Sequence, residues 1–93
     1  MSHKTFLEDI DIAILCAIFR SHGRKRKGVK HVPEDRIKQL IPQRFHRRFK
    51  NALRNLQNLG LVRRVKSRTY ALTKYGFLLA RDYFRSGQCD CIS

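Results

Sequence analysis

A chain of 93 residues has material for one domain with one core, and none of its apolar runs reaches the roughly 20 residues of a membrane span. Twenty-one Lys and Arg against 7 Asp and Glu give a net charge of +14, and it is concentrated: between Arg20 and Arg68 the only acids are Glu34 and Asp35, a stretch of +15 in a near-neutral frame. Charge kept for solubility is scattered and mixed in sign, so this placement marks a face for a polyanion, nucleic acid before an anionic membrane.

Residues 5–20 read as a first helix. Thr5 and Glu8 have the spacing of a capping box, and Glu8, Asp9 and Asp11 suit the positive end of the helix dipole. Leu7, Ile10, Ile14, Ala17 and Ile18 form one apolar stripe, while Ile12, Leu15, Cys16 and Phe19 form another on the opposite side. Such a helix lies either in the middle of the domain or against a second copy. So short a chain has little material to cover both sides, which favours a homodimer contact through Ile12, Leu15, Cys16 and Phe19.

Gly23, Gly28 and the unbroken basic run Arg24 to Lys27 predict an exposed loop over residues 20–31, with Val29 to Val32 available as a short strand. Pro33, Glu34 and Asp35 open a short second helix through Ile37, Leu40 and Ile41, and Pro42 closes it. A third helix is expected over residues 43–59, ended by Gly60, with Phe45, Phe49, Ala52, Leu53, Leu56 and Leu59 on its core side. Its other side carries Gln43, Arg47, Lys50, Asn51, Arg54 and Asn58, flanked by Arg44, Arg48 and Asn55, without one acid. A solvated helix face commonly pairs Glu with Lys four residues apart; these cations have no such partner and ask for an external one.

After Gly60 the period changes to that of a strand. Leu61, Val62 and Val65 lead into a turn at Lys66-Ser67-Arg68, and Thr69 to Leu72 return with Tyr70 and Leu72 on one face. Thr73 then caps a last helix over residues 74–86, whose Phe77, Ala80, Tyr83 and Phe84 face the core, and Gly87 ends it. The division is one domain, residues 1–87, and a cysteine-containing tail, residues 88–93.

The expected fold is mainly α with a small β-hairpin (α+β). A short turn between two helices, the second of them basic, followed by a hairpin is the winged helix-turn-helix plan. The run Leu56-Gln57-Asn58-Leu59-Gly60-Leu61-Val62-Arg63-Arg64, followed by Tyr70-Ala71-Leu72-Thr73-Lys74-Tyr75-Gly76, resembles the L-x-x-x-G-L-V/I-x-R and Y-x-L-T-x-x-G signatures of MarR-like winged-helix regulators. The likeness covers residues 5–86. In size and make-up the chain is also similar to the small winged-helix proteins of crenarchaeal Sulfolobus viruses, such as the turreted icosahedral virus. The resemblance implies a homodimeric transcription factor in the cytoplasm of a hyperthermophilic archaeal host. Its third helix would enter the major groove of double-stranded DNA and its wing would follow the backbone or minor groove. MarR regulators dimerise through longer flanking helices that this chain lacks, which puts their mode of dimerisation in doubt here.

Arg and Asn match guanine and adenine edges bidentately, so the outward residues near the start of the third helix, Gln43, Arg44, Arg47, Lys50 and Asn51, are the expected base readers. Arg48 and Arg54 are expected on phosphates, as are Arg64, Lys66 and Arg68 of the wing, with Tyr70 in the core. Polar readers favour a sequence-specific regulator over the alternative, a basic winged helix that binds RNA or compacts DNA without sequence preference.

Enzyme chemistry is not expected, since His3, His22, His31 and His46 are dispersed and no nucleophile motif occurs. No cofactor or metal is expected either, because Cys89-Asp90-Cys91 with a remote Cys16 lacks the paired spacing of zinc sites. Cys89 and Cys91 are too close in sequence to bridge each other without strain. They are therefore expected to form intersubunit disulfides, of the kind a hyperthermophilic host tolerates, with Cys16 buried and reduced. The alternative is two free thiols in a frayed tail.

Overall fold

The computed structural model describes residues 7–22 and 31–89. Helix α1 (Asp9–His22) is followed by strand β1 (Val32–Pro33), helix α2 (Glu34–Leu40), a 3₁₀ helix (Gln43–Arg48), helix α3 (Phe49–Asn58), strands β2 (Val62–Lys66) and β3 (Thr69–Leu72), and helix α4 (Lys74–Arg85). The protein is thus mainly helical with a small antiparallel sheet in the order β1-β3-β2. Thr5, Val29, Cys91 and the basic run Arg24 to Lys27 lie outside the described residues.

Helix α1 starts at Asp9, later than the capping-box reading. Asp11 Oδ2 accepts the Glu8 backbone N–H at 3.0 Å, so an acid in the first turn satisfies a donor that the helix itself leaves free. Every residue from Ile10 to Ile18 is buried. The helix is central, packed against α4 as well as against α2, α3 and β3. Ile14, Leu15 and Ile18 join Ile37, Phe49, Leu53, Leu56 and Val62 in the main core, where each large apolar side chain contributes roughly 1.5–3 kcal/mol. Ile12 and Cys16 form a second, smaller cluster with Cys89, lined by Leu7 and Tyr83.

The expected dimer stripe is therefore corrected. Ile12, Leu15 and Cys16 are buried within a single chain, and the half-buried Phe19 stacks at 5.4 Å between centroids on both Phe77 and Phe84 of α4. The covering material is α4 and the turn behind it, enough for both sides of α1 even in a short chain.

The expected pairing of cysteines is corrected with it. Cys89 is bonded to Cys16 of the same chain, with 5.7 Å between their Cα atoms and a sequence separation of 73. The left-handed Gly87 (φ +84°) follows α4, and the chain beyond it brings Cys89 to 1% exposure against α1. Cys16 is buried as expected but is not reduced, and the chain does not fray at Gln88.

Two joints fix the far side of the domain. Helix α3 ends as expected at Gly60 (φ +78°), where Gly60 N–H and Leu61 N–H bond back to Gln57 and Leu56 carbonyls in a Schellman arrangement. Thr73 then ties α4 to this turn. Its hydroxyl donates to Gly60 O at 2.6 Å and accepts the Gly76 N–H at 3.1 Å, while its own N–H bonds Leu61 O. Gly76 lies so close to the Leu61 carbonyl that any Cβ would collide with it. The spacing of Gly60-Leu61 and Thr73-x-x-Gly76 in the sequence is the record of this one contact.

Candidate nucleic-acid interface

The third expected helix is two elements. Only Ile41 and Pro42 connect α2 to it, and Phe45 N–H bonds Pro42 O, the i to i+3 pattern of a 3₁₀ turn. Six residues is long for a 3₁₀ helix. Burial of Phe45 and a 2.8 Å bond from His46 Nε2 to Lys38 O hold it against α2, and Arg48 (φ −101°, ψ 10°) marks the change to α3. His46 thus ties the basic segment to α2. Sequence reasoning missed it, because a lone His carries no signal of its hydrogen-bond partner.

Of the expected base readers, Gln43, Arg44 and Arg47 stand on the 3₁₀ helix, while Lys50 and Asn51 begin α3; all five are exposed. Residues three apart eclipse on a 3₁₀ helix, so Arg44 and Arg47 stack in one row that Lys50 and Arg54 continue along α3. Arg44 is partly engaged already, its guanidinium carbon 4.6 Å from the Phe45 ring centroid. Asn51 faces sideways into a cleft of about 200 Å³ beside the start of α1, together with Glu8, Ile10, Asp11, Arg48, Ala52 and Asn55. Gln43, Arg44, Arg47 and Lys50 are thus exposed without lining that cleft, while Asn51 is exposed and lines it.

The expected backbone contacts divide similarly. Arg54 is exposed, and the exposed Arg48 lies 3.6 Å from Glu8 in an ion pair. Arg64, Lys66 and Arg68 are exposed on the hairpin, and Arg63, not among the expected contacts, joins them. A bulge between Arg64 and Lys66 twists the edge strand β2, and Tyr70, paired opposite Arg64, is buried as expected. Arg68 holds a positive φ of 57° at the hairpin tip, and its carbonyl accepts the Glu34 N–H at 2.8 Å, tying the tip to the start of α2.

No acid occurs anywhere between Asp35 and Asp82. The 3₁₀ helix, α3 and the hairpin therefore present cations and amides without an acid of their own; Glu8 and Asp11 line the cleft beside α3, and Glu34 follows the strand that meets the hairpin tip. Burial pushes the Asp11 carboxyl above the usual range; the Glu8 N–H opposes this, Glu8's charge adds to it and Arg48 opposes it.

The exposed large apolar side chains of the described residues are mostly on α4. Tyr75, Phe77, Leu78 and Phe84 stand on α4, and only Leu59 lies elsewhere. Among the described residues no cluster of His, Cys, Asp and Glu is arranged to hold a metal, and no helix is long and apolar enough to cross a membrane. No family model, curated protein or solved structure matches the chain.

Proposed function

We propose that the protein is a winged helix-turn-helix regulator of the MarR-like kind that binds double-stranded DNA sequence-specifically. The observation that carries this reading is the acid-free, exposed cationic surface formed by the 3₁₀ helix, α3 and the β2–β3 hairpin. The element order supports it, since α2 and α3 flank a short connection and the hairpin follows them as a wing. In this reading the row Arg44, Arg47 and Lys50, with Gln43 beside it, meets base edges in the major groove. Arg54 and the hairpin cations Arg63, Arg64, Lys66 and Arg68 meet phosphates.

A homodimer remains part of the proposal, with its contact moved. The stripe on α1 is used within the chain, so the pairing surface is the outer side of α4, where Phe77, Leu78 and Phe84 are 37%, 39% and 49% exposed. A buried intrachain disulfide suits a host in which intracellular disulfides persist, in keeping with the likeness to the small winged-helix proteins of crenarchaeal viruses.

Selection of bound duplexes from a random pool tests the reading, followed by affinity measured against salt. A consensus should emerge, and the log-log slope should lie between about −5 and −9 for a dimer that neutralises roughly 6–10 phosphates. A steep slope without consensus would favour the sequence-blind alternative. A slope near zero would reject nucleic-acid binding altogether.

A further inference from the structure

The ion pair between Glu8 Oε1 and Arg48 Nη1 lies at the edge of the proposed DNA surface. Both side chains are largely exposed, 68% and 61%, and pairs of this kind shift a folding equilibrium by at most about fivefold. Stability does not account for the pair. Its consequence is positional: it draws one guanidinium of the cationic surface toward α1, into the cleft floored by Ile10 and Ala52. The buried Asp11, on the same cleft, attracts that guanidinium as well.

A carboxylate on an arginine presents the charge and the oxygen acceptors that a phosphate diester presents. We infer that Glu8 is an internal stand-in for a DNA phosphate, one that holds Arg48 in the free protein and releases it only to a phosphate in the correct register. The inference rests on the DNA reading above and makes Glu8 a specificity-determining residue. A duplex docked in register exchanges one carboxylate for one phosphate at Arg48 and gains base contacts at Arg47 and Lys50. A polyanion out of register leaves Arg48 on Glu8, so it has one cation fewer for its phosphates, sets them beside Glu8 and Asp11, and gains no base contact in return. A repulsive element directed at wrong partners raises discrimination without adding affinity for the right one.

Glu8→Gln keeps the side chain's size and removes its charge, while the backbone N–H that Asp11 accepts stays in place. Fluorescence anisotropy with a random-sequence duplex, across a salt series, should find this variant about five- to tenfold tighter at low salt, with a slope steeper by about 0.9, one further phosphate neutralised. The duplex recovered by selection should tighten about twofold or less, so the specificity ratio falls. In an Arg48→Ala background, Glu8→Gln should change random-duplex affinity by less than about twofold. Equal tightening with and without Arg48 would mean that Glu8 acts only through bulk charge, and an unchanged slope would mean that it holds no phosphate ligand; either result overturns the inference while leaving the DNA reading intact. A wild-type chain without salt-dependent duplex binding overturns the DNA reading and this inference together. Circular dichroism melts of each variant confirm that the comparison is made between folded proteins.

Discussion

Helices α3 and α4 both rest on α1, yet their outward sides differ in kind. The segment from the 3₁₀ helix through α3 buries Phe45, Phe49, Leu53 and Leu56 and leaves amides and cations outside. Helix α4 buries only Gly76 and Ala80 fully and leaves Tyr75, Phe77, Leu78 and Phe84 outside, among Lys74, Arg81 and Arg85. One side is finished as far as the hydrophobic effect is concerned and lacks counter-charge. The other still has apolar area in water. The difference teaches that exposure on this small domain is of two kinds, charge without acids on the α3 side and apolar area on the α4 side, and the proposed partners differ accordingly.

The largest effect expected from breaking the comparison is at the Cys16–Cys89 bond, since only the α4 side is held by a crosslink. Closing a loop of 73 residues restricts the unfolded chain enough to stabilise the fold by about 4 kcal/mol in the chain-entropy account. Reductant, or Cys89→Ser, should lower the melting temperature by roughly 15 °C or more, with hydrogen-exchange protection lost first in α4. A melt that is indifferent to reductant would mean that apolar packing alone holds α4 to α1. Peptide mapping without reductant should recover the Cys16–Cys89 pair within single chains.

The next effect belongs to the α3 side. Arg47→Ala or Lys50→Ala should weaken binding to the selected duplex by about 1–3 kcal/mol while sparing random duplex, and Arg68→Ala should weaken both alike. Asn51→Ala should cost less than either, because Asn51 lines the cleft beside Glu8 instead of joining the outward row. If Asn51→Ala proves the most costly, the cleft wall is itself a reading surface and the division drawn above is misplaced.

Much of this was legible in the sequence because the signals are local. Thr73 as a cap, Gly60 as a helix stop and the hairpin turn expected at Lys66-Ser67-Arg68 each depend on a few neighbouring residues; the first two are found where expected, and the turn is one residue shorter, since Lys66 still belongs to β2. The exposed cations could be read as a set for the same reason. The signals that failed are long-range. A helical wheel cannot tell an apolar stripe covered by α4 from one covered by a second copy, so nothing in the spacing of Ile12, Leu15, Cys16 and Phe19 shows that their cover lies within the chain. Pairings such as Cys16 with Cys89, or Glu8 with Arg48, leave no trace in spacing. The 3₁₀ helix was hidden too, since Phe45 and Phe49 keep an α-helical interval while the backbone between them is wound more tightly.

On the α4 side, Phe84→Glu should weaken self-association by about 1–2 kcal/mol, read as a shift toward monomer in analytical ultracentrifugation. Phe84 is 49% exposed and partly covers Phe19, so the domain should stay folded by circular dichroism. Leu15→Glu should instead unfold it, because Leu15 has no exposed surface. A wild-type chain that remains monomeric at high concentration would leave the apolar side of α4 to a different protein.

The smallest effect is at Asp11, which is coupled to both sides: it feels the charge of Arg48 from the α3 side and raises the phenol of Tyr83 on α4. Burial raises the Asp11 carboxyl, the Glu8 N–H lowers it, the Glu8 charge raises it and Arg48 lowers it, with a net rise. A carboxyl that holds its proton more tightly folded than unfolded contributes most to stability in acid, below the unfolded value of about 4. That contribution declines as pH rises through the folded value. At neutral pH the ionised Asp11 is therefore a net cost. Asp11→Asn keeps an oxygen to accept the Glu8 N–H and removes the charge, so it should raise stability near neutrality by less than about 1 kcal/mol, with the gain vanishing in acid. Burial is the larger cause of the rise at Tyr83 and Asp11 the smaller, so the same substitution should bring the Tyr83 phenol only part of the way back toward its ordinary value in an ultraviolet titration. Loss of stability at neutral pH would instead mean that attraction to Arg48 and to the amino end of α1 outweighs the burial of the charge, and that Asp11 helps to hold the two sides together.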